Sequence, residues 1–460
     1  MKKTLKISFI LLLLLVISVS FQVYAQDDMI IDTLKNGEVE DVENIILFSS
    51  QINQIIGKSE ANYLFYAAYN NDDKVIKYLI DKGGDMNFKS KYGETPLMIA
   101  SAFNDNPDVV KILIDSGAKI NERTKSGYNP ILSSARNKNL EVIKLLVLNG
   151  ANLFDKTNSK NTTLHIAAVN NPNPNMIKYL VENGLDLYSE DYIGQIPFVK
   201  AVMNNNFDVF RTFLVLDENL LYYENEYKNN VLHFAAYNEN KEILDVLLNS
   251  EKQLFDINSR NDFGNTYLWP AVTNNKNIEV MKQLIDQGVN IDARGYKGET
   301  VLMALVQSYN ERDIIERIEL LIKNGANIHA VNEYEETILE IALSFNNLEV
   351  VKYFWDSKLR YNQNEINELF FEAVTNENLA VVKFVFEKKP DINTRNYFGE
   401  TPLMKAALLN SNPEVIEFLL EKGANPKLKD NESKTAHDHM KDNYFLDGSN
   451  IHWKLHDLKF

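Results

Sequence analysis

The stretch Gly93-Glu94-Thr95-Pro96-Leu97-Met98 returns almost unchanged as Gly399-Glu400-Thr401-Pro402-Leu403-Met404. Between them lie Thr162-Thr163-Leu164-His165-Ile166-Ala167-Ala168, Gly298-Glu299-Thr300-Val301-Leu302-Met303 and Glu336-Thr337-Ile338-Leu339. Aligned on the threonine-like position, the chain carries anchors at 62, 95, 129, 162, 196, 230, 266, 300, 337, 368, 401 and 435. Successive spacings are 33, 34, 33, 34, 34, 36, 34, 37, 31, 33 and 34, and a weaker unit precedes them around Leu34 to Ile46. A period of this size marks a stacked repeat, in which each unit is too small to bury its own apolar face.

One unit can be read from its residues. Thr95 is placed to N-cap a short helix, and Pro96 fills the first helical position, where no N–H is needed. Leu97, Ala100 and Ser101 face inward, and Asn104 to Pro107 ends the helix. A second helix opens at Pro107 and Asp108 and keeps Val109, Ile112 and Leu113 at i, i+3, i+4 spacing. Gly117 supplies its left-handed end. Ser126-Gly127 then turns the chain back toward the next cap. The same ending recurs at Asn149-Gly150-Ala151-Asn152, Asn324-Gly325-Ala326-Asn327 and Lys422-Gly423-Ala424-Asn425.

The Thr-Pro-Leu opening, the Gly-Ala-Asn ending and the period together resemble the ankyrin repeat family over roughly residues 30 to 440. The resemblance implies an all-α solenoid of about twelve helix–turn–helix units with hairpin-like loops on one side, and a binding scaffold for other macromolecules. The array is expected over 26–440, with a C-terminal cap or tail at 441–460. Departures mark irregular units. Ile196-Pro197 lacks a capping side chain, at a cost of about 1 kcal/mol. Trp269-Pro270 puts proline one turn into its helix. Leu216 to Tyr227 lacks the glycine ending, and extra residues lie near Tyr309 to Asp313. The unit through Trp355 to Asn367 has lost most of its loop, so a bend is expected between 355 and 368.

Composition narrows the function. The 460 residues contain no cysteine, which excludes a disulfide scaffold, a thiol nucleophile and thiolate metal ligation. With 48 basic and 64 acidic side chains, the net charge of -16 disfavours nucleic acid or anionic lipid as the main partner. Asparagine, at roughly one position in eight, is well above ordinary usage and favours turns. At the N-terminus, Lys2, Lys3 and Lys6 precede an apolar run from Ile7 to Val19, and Val23-Tyr24-Ala25 precedes the polar Gln26-Asp27-Asp28. This pattern reads as an export signal peptide over 1–25, leaving a periplasmic or secreted protein with no stable membrane insertion after cleavage. The run is too short for the ~20 residues a spanning helix needs. Cleavage removes three lysines and takes the charge to -16 - 3 = -19.

No stretch is left over for a catalytic domain, and no phosphate loop, Gly-x-Ser-x-Gly elbow, calcium loop or His-Glu-x-x-His pattern occurs. We expect no enzyme, no cofactor and no metal. His165 and His233 take the histidine position of the family opening, where the resemblance implies a hydrogen bond within the scaffold. His437 and His439, two apart, point to different sides of a helix, and Asp438 can close a capping box on Thr435. His452 and His456 have metal-compatible i, i+4 spacing but no carboxylate between them, and read as part of an end cap.

The family places recognition on the loop tips and the end of each first helix. The corresponding candidates are Tyr92, Arg123, Tyr128, Tyr192, Tyr227, Arg260, Arg294, Tyr296, Tyr334, Arg395 and Tyr397 on the tips. Phe103, Arg136, Tyr237 and Phe345 are the first-helix candidates. Tyrosine and arginine combine contact area with directional bonding and dominate interface hot spots. An asparagine series at Asn70, Asn137, Asn170, Asn204, Asn238, Asn274 and Asn376 is expected to serve the turns. The reading is a monomeric scaffold for a protein partner, or alternatively a secreted effector or immunity-type protein acting on a host or competitor.

Overall fold

The computed structural model describes residues 27–46, 52–204, 206–249, 255–308, 313–345, 347–357 and 361–459. The expected signal peptide and the insertion at 309–312 lie outside them. The described residues are helical, with isolated bridges such as Lys156 to Thr162 in place of strands. They form two compact units, one up to Glu226 and one from Tyr227.

Capping decides where the helices begin. Ten of the twelve anchor positions are N-cap residues: Asn62, Thr95, Asn129, Thr162, Ile196, Asn230, Thr300, Thr337, Thr401 and Thr435. Thr95 accepts the Met98 N–H and is followed by Pro96–Phe103, buried from Pro96 to Ala102. All of this helix but Phe103 is covered, because it packs on its own second helix, Pro107–Asp115, and on the next first helix, Pro130–Ser134. The second helix is two-faced, burying Val109, Val110 and Leu113. Ile196 makes no side-chain cap bond, as expected. The glycine-free ending after Leu216 is replaced by a 3-10 turn, Glu218–Tyr222, which Asp217 caps.

Two anchors are corrected. The helix expected from Thr266 has Tyr267 as its N-cap and runs Leu268–Thr273, which puts Pro270 in the first turn, where its missing N–H costs no intrahelical bond. The anchor at 368 is displaced to Asn362, because the polar pair Asn362 and Glu365 closes a reciprocal capping box. The Asn362 N–H reaches Glu365 Oε2 at 2.8 Å, and the Glu365 N–H reaches Asn362 Oδ1 at 3.0 Å. Gln363–Ala373 follows, the next described helix after Leu348–Ser357. Trp355 fills the gap against Tyr361, with ring centres 4.7 Å apart, and against Phe384.

Asparagine joins successive repeats. Asn104 Nδ2 donates to Ala68 O and Asn70 O, Asn137 to Ser101 O and Asn104 O, and Asn171 to Ala135 O and Asn137 O, all at 2.7–3.1 Å. From Tyr227 onward, Asn275, Asn376, Asn410 and Asn443 repeat the pattern. Two residues on, Asn106, Asn139, Asn173, Asn277 and Asn412 each cap a second helix and donate to a carbonyl one repeat earlier. The turn role expected of the series therefore holds only in part. The column residues are buried cross-links, and at three places the register is different: Asn171, Asn206 and Asn275 make the inter-unit bonds. Asn170 and Asn204 only bond back one turn within their own helices.

Candidate protein-binding surface

Each loop tip is a tight turn whose backbone is tied to its neighbour. Asn158 N–H donates to Ser126 O, and its side chain donates to Lys125 O at 2.8 Å. Gly127 is at φ +85° where the two tips meet, and a Cβ there would lie 2.5 Å from Asn158 Oδ1. Only glycine combines that backbone with that approach.

On this frame the tip tyrosines point outward. Tyr192 and Tyr397 are 76% and 92% exposed, and Tyr92, Tyr227, Tyr296 and Tyr334 are also exposed. Phe154, Tyr188 and Ile193 in the unit up to Glu226, and Phe263 and Phe398 in the unit from Tyr227, are exposed as well. Some of them stack: Tyr227 lies on Phe263 with ring centres 5.6 Å apart. Lys297 Nζ lies over both Tyr296 and Tyr334, at 5.3 and 5.4 Å. Of the first-helix candidates, Tyr237 is exposed, while Phe345 is half-buried at the end of Ile338–Ser344.

The tip arginines are used differently. Arg123 Nη1 donates to Gly127 O at 2.8 Å and to Lys156 O at 3.0 Å, and its other arm pairs with Asp155 at 2.7 Å. Arg395 bridges Gly399 O and Lys429 O, Arg294 bridges Gly298 O and Val331 O, and Arg260 reaches Arg294 O. Each bridging arginine closes its own turn and holds the following one. Arg294→Ala or Arg395→Ala should therefore lower stability by about 1–2 kcal/mol. Lysine should not restore it, since an ammonium lacks the fixed planar fork. Urea denaturation of the four single variants checks this.

Four candidates converge. Tyr92, Phe103, Tyr128 and Arg136, with Glu94, Met98 and Ser133, line one concavity between the Thr95 and Asn129 helices. Phe103 stacks on Tyr69 at 5.4 Å, and Arg136 lies over the Tyr128 ring at 5.2 Å.

The histidines serve the scaffold. His165 Nδ1 accepts the Thr162 N–H at 3.2 Å, so Nε2 carries the proton and donates to Gln195 O at 2.9 Å. His233 repeats this with Asn230 and Asn265. Burial drives both imidazoles down to about 4, against a weaker upward pull from the backbone bonds. Asp438 closes the expected box on Thr435. His437 and His439 diverge: the first packs against His452 and His456 of Asn450–Lys459, and the second donates to Asp430 at 2.8 Å. Among the described residues, Glu400, Asp430 and His439 form one convergent group of ligand-type side chains. Asp430 there does what Asp191 does with Lys200, holding two turn N–H groups and one side chain nine residues on. We read it as a loop brace.

Helix pairs in series, with loop tips between them, describe a repeat scaffold. The family model for ankyrin repeats (three copies) matches overlapping windows from 31–124 to 268–367, and that for ankyrin repeats (many copies) matches 385–439; the chain belongs to the ankyrin repeat family. Members of that family are typically non-catalytic scaffolds that mediate protein interactions. Ankyrin repeat protein L86 of Acanthamoeba polyphaga mimivirus is 24% identical over 45% of this chain and 40% of its own length. Protein FPV031 of Fowlpox virus is 29% identical over 27% of this chain and 38% of its own. An ankyrin repeat protein of Rickettsia felis is 28% identical over 27% of this chain and 45% of its own. The matched part thus spans under half of each relative. No described helix is long and apolar enough to cross a membrane.

Proposed function

We propose that this chain is an exported scaffold that binds a protein partner through its loop tips and the ends of its first helices. The supporting observation is the row of exposed aromatics on turns that are already closed by glycine, asparagine and arginine. A solvated turn so braced has no folding use for a tyrosine 76% or 92% exposed. Export rests on the basic-then-apolar pattern of residues 1–25.

Because the arginines brace the loops, the tyrosines give the cleaner test. Changing Tyr92, Tyr192, Tyr296, Tyr334 and Tyr397 together to serine should weaken capture of the native partner from the envelope fraction at least ten-fold, with thermal stability unchanged. Equal capture by the variant rules this surface out. Mass analysis of the exported protein should find Gln26 as the first residue; a chain still beginning at Met1 rejects the cleavage. Recovery from the culture medium instead of the envelope would favour the effector reading.

A further inference from the structure

The concavity between the Thr95 and Asn129 helices encloses about 170 Å³. That is below the roughly 300–1,000 Å³ of a small-molecule pocket, and it suits a single side chain. Its walls are the exposed rings of Tyr92 and Phe103, and Tyr128 beneath the Arg136 guanidinium.

Arg136 differs from the other arginines on this face. Arg123, Arg294 and Arg395 give their protons to neighbouring loop carbonyls. Among the described residues, the buried Nε of Arg136 has no hydrogen-bond partner, and its guanidinium lies over the Tyr128 ring. A buried donor left unmet is costly, and a ligand supplying an acceptor recovers that cost. The one acid lining the pocket, Glu94, makes no ion pair with Arg136. Burial raises its pKa, partly offset by the Arg136 charge and a bond from Ser90. Arginine keeps its charge throughout, and Lys91 lies over the Tyr92 ring at 5.2 Å. The pocket is thus a cation with an unmet buried donor, walled by rings.

We propose that this pocket takes the carboxylate of an Asp or Glu side chain from an extended segment of the partner protein. Arg136 donates to the carboxylate, while Tyr92 and Phe103 cover the apolar atoms beside it. The aromatic surface runs on past the pocket through Phe103, which stacks on Tyr69 with ring centres 5.4 Å apart, and there it would hold the residues that flank the acid. The proposal rests on the protein-binding reading above.

The test uses random peptides displayed on phage as amino-terminal fusions, which present no free C-terminus, selected on the full chain. Enriched peptides should carry Asp or Glu next to an aromatic or aliphatic residue. Synthetic copies should lose at least ten-fold in affinity on Arg136→Gln, on Glu→Gln in the peptide, and little more when both changes are combined. Unchanged thermal melting of Arg136→Gln separates lost recognition from lost folding, and Arg136→Lys should recover only part of the affinity. Peptides that are basic or neutral, or that survive Arg136→Gln while failing on Tyr296→Ser and Tyr334→Ser, overturn the pocket but leave the surface standing. No enrichment over an unrelated protein overturns both.

Discussion

Asn171→Ala should destabilise the chain by about 3–4 kcal/mol, while Asn170→Ala, one residue away, should change it by no more than about 0.5 kcal/mol. Asn171 is fully buried and donates to Ala135 O at 2.9 Å and Asn137 O at 2.7 Å, while its Oδ1 accepts the Asn173 N–H at 2.8 Å. Alanine leaves two carbonyls and one N–H without these partners in the gap between repeats. Asn170 only donates to Ile166 O within its own helix, where alanine is the better helix former. Asn171→Asp should be at least as damaging as Ala. It keeps the acceptor for Asn173 but sets a carboxylate against two carbonyl oxygens. Because array stability is a sum of units and nearest-neighbour interfaces, losing one interface should also broaden the urea transition. Circular dichroism during urea titration measures both effects, and equal midpoints for the 170 and 171 variants would remove the column from the stability of the fold.

That contrast shows where sequence reading stops. The anchors at 95, 162, 300, 337, 401 and 435 were legible because a cap is local: a threonine, its helix and the bond between them lie within four residues. The asparagine columns were not. In Asn170-Asn171 and Asn274-Asn275 both residues suit a helix end, and one step along a helix turns the side chain by about 100°. Which of them faces the neighbouring unit depends on packing some 33 residues away. The same holds for Arg123, Arg294 and Arg395, whose type suggested recognition while their second acceptors lie 33, 37 and 34 residues further on. A signal was present all the same. Arg123, Arg260, Arg294 and Arg395 each stand four residues before a glycine, at 127, 264, 298 and 399. A binding residue has no reason to keep that distance from a turn. A residue that closes the turn does. Arg136, outside this pattern, has a buried Nε with no partner among the described residues.

Acid should weaken the fold from about pH 6.5 downward, and the two buried histidines set the window. His165 and His233 titrate at about 4 when folded and near 6.5 when unfolded. Between those values the unfolded chain holds more protons, so stability rises with pH across the window and is flat above it. The stabilisation is complete above about pH 6.5 and is lost as pH falls toward 4. The full gap corresponds to about 3 kcal/mol per histidine, and about 2 kcal/mol should be gone by pH 5. Carboxylates held low, such as Asp191 with its bonds from Lys200, Gln195 and Ile193 against the burial that raises it, lose their contribution only near and below 3.8. The histidine loss therefore comes first. Protonating His165 puts a proton on Nδ1, which then donates to Thr162 Oγ1 at 2.8 Å and no longer accepts the Thr162 N–H, so the charged ring gives up that cap bond as well as its hydration. His165→Gln should flatten the response of the unit ending at Glu226, and His233→Gln that of the unit beginning at Tyr227. Urea midpoints measured between pH 7.5 and 5 decide it: a double variant as acid-sensitive as the parent chain would place the sensitivity elsewhere.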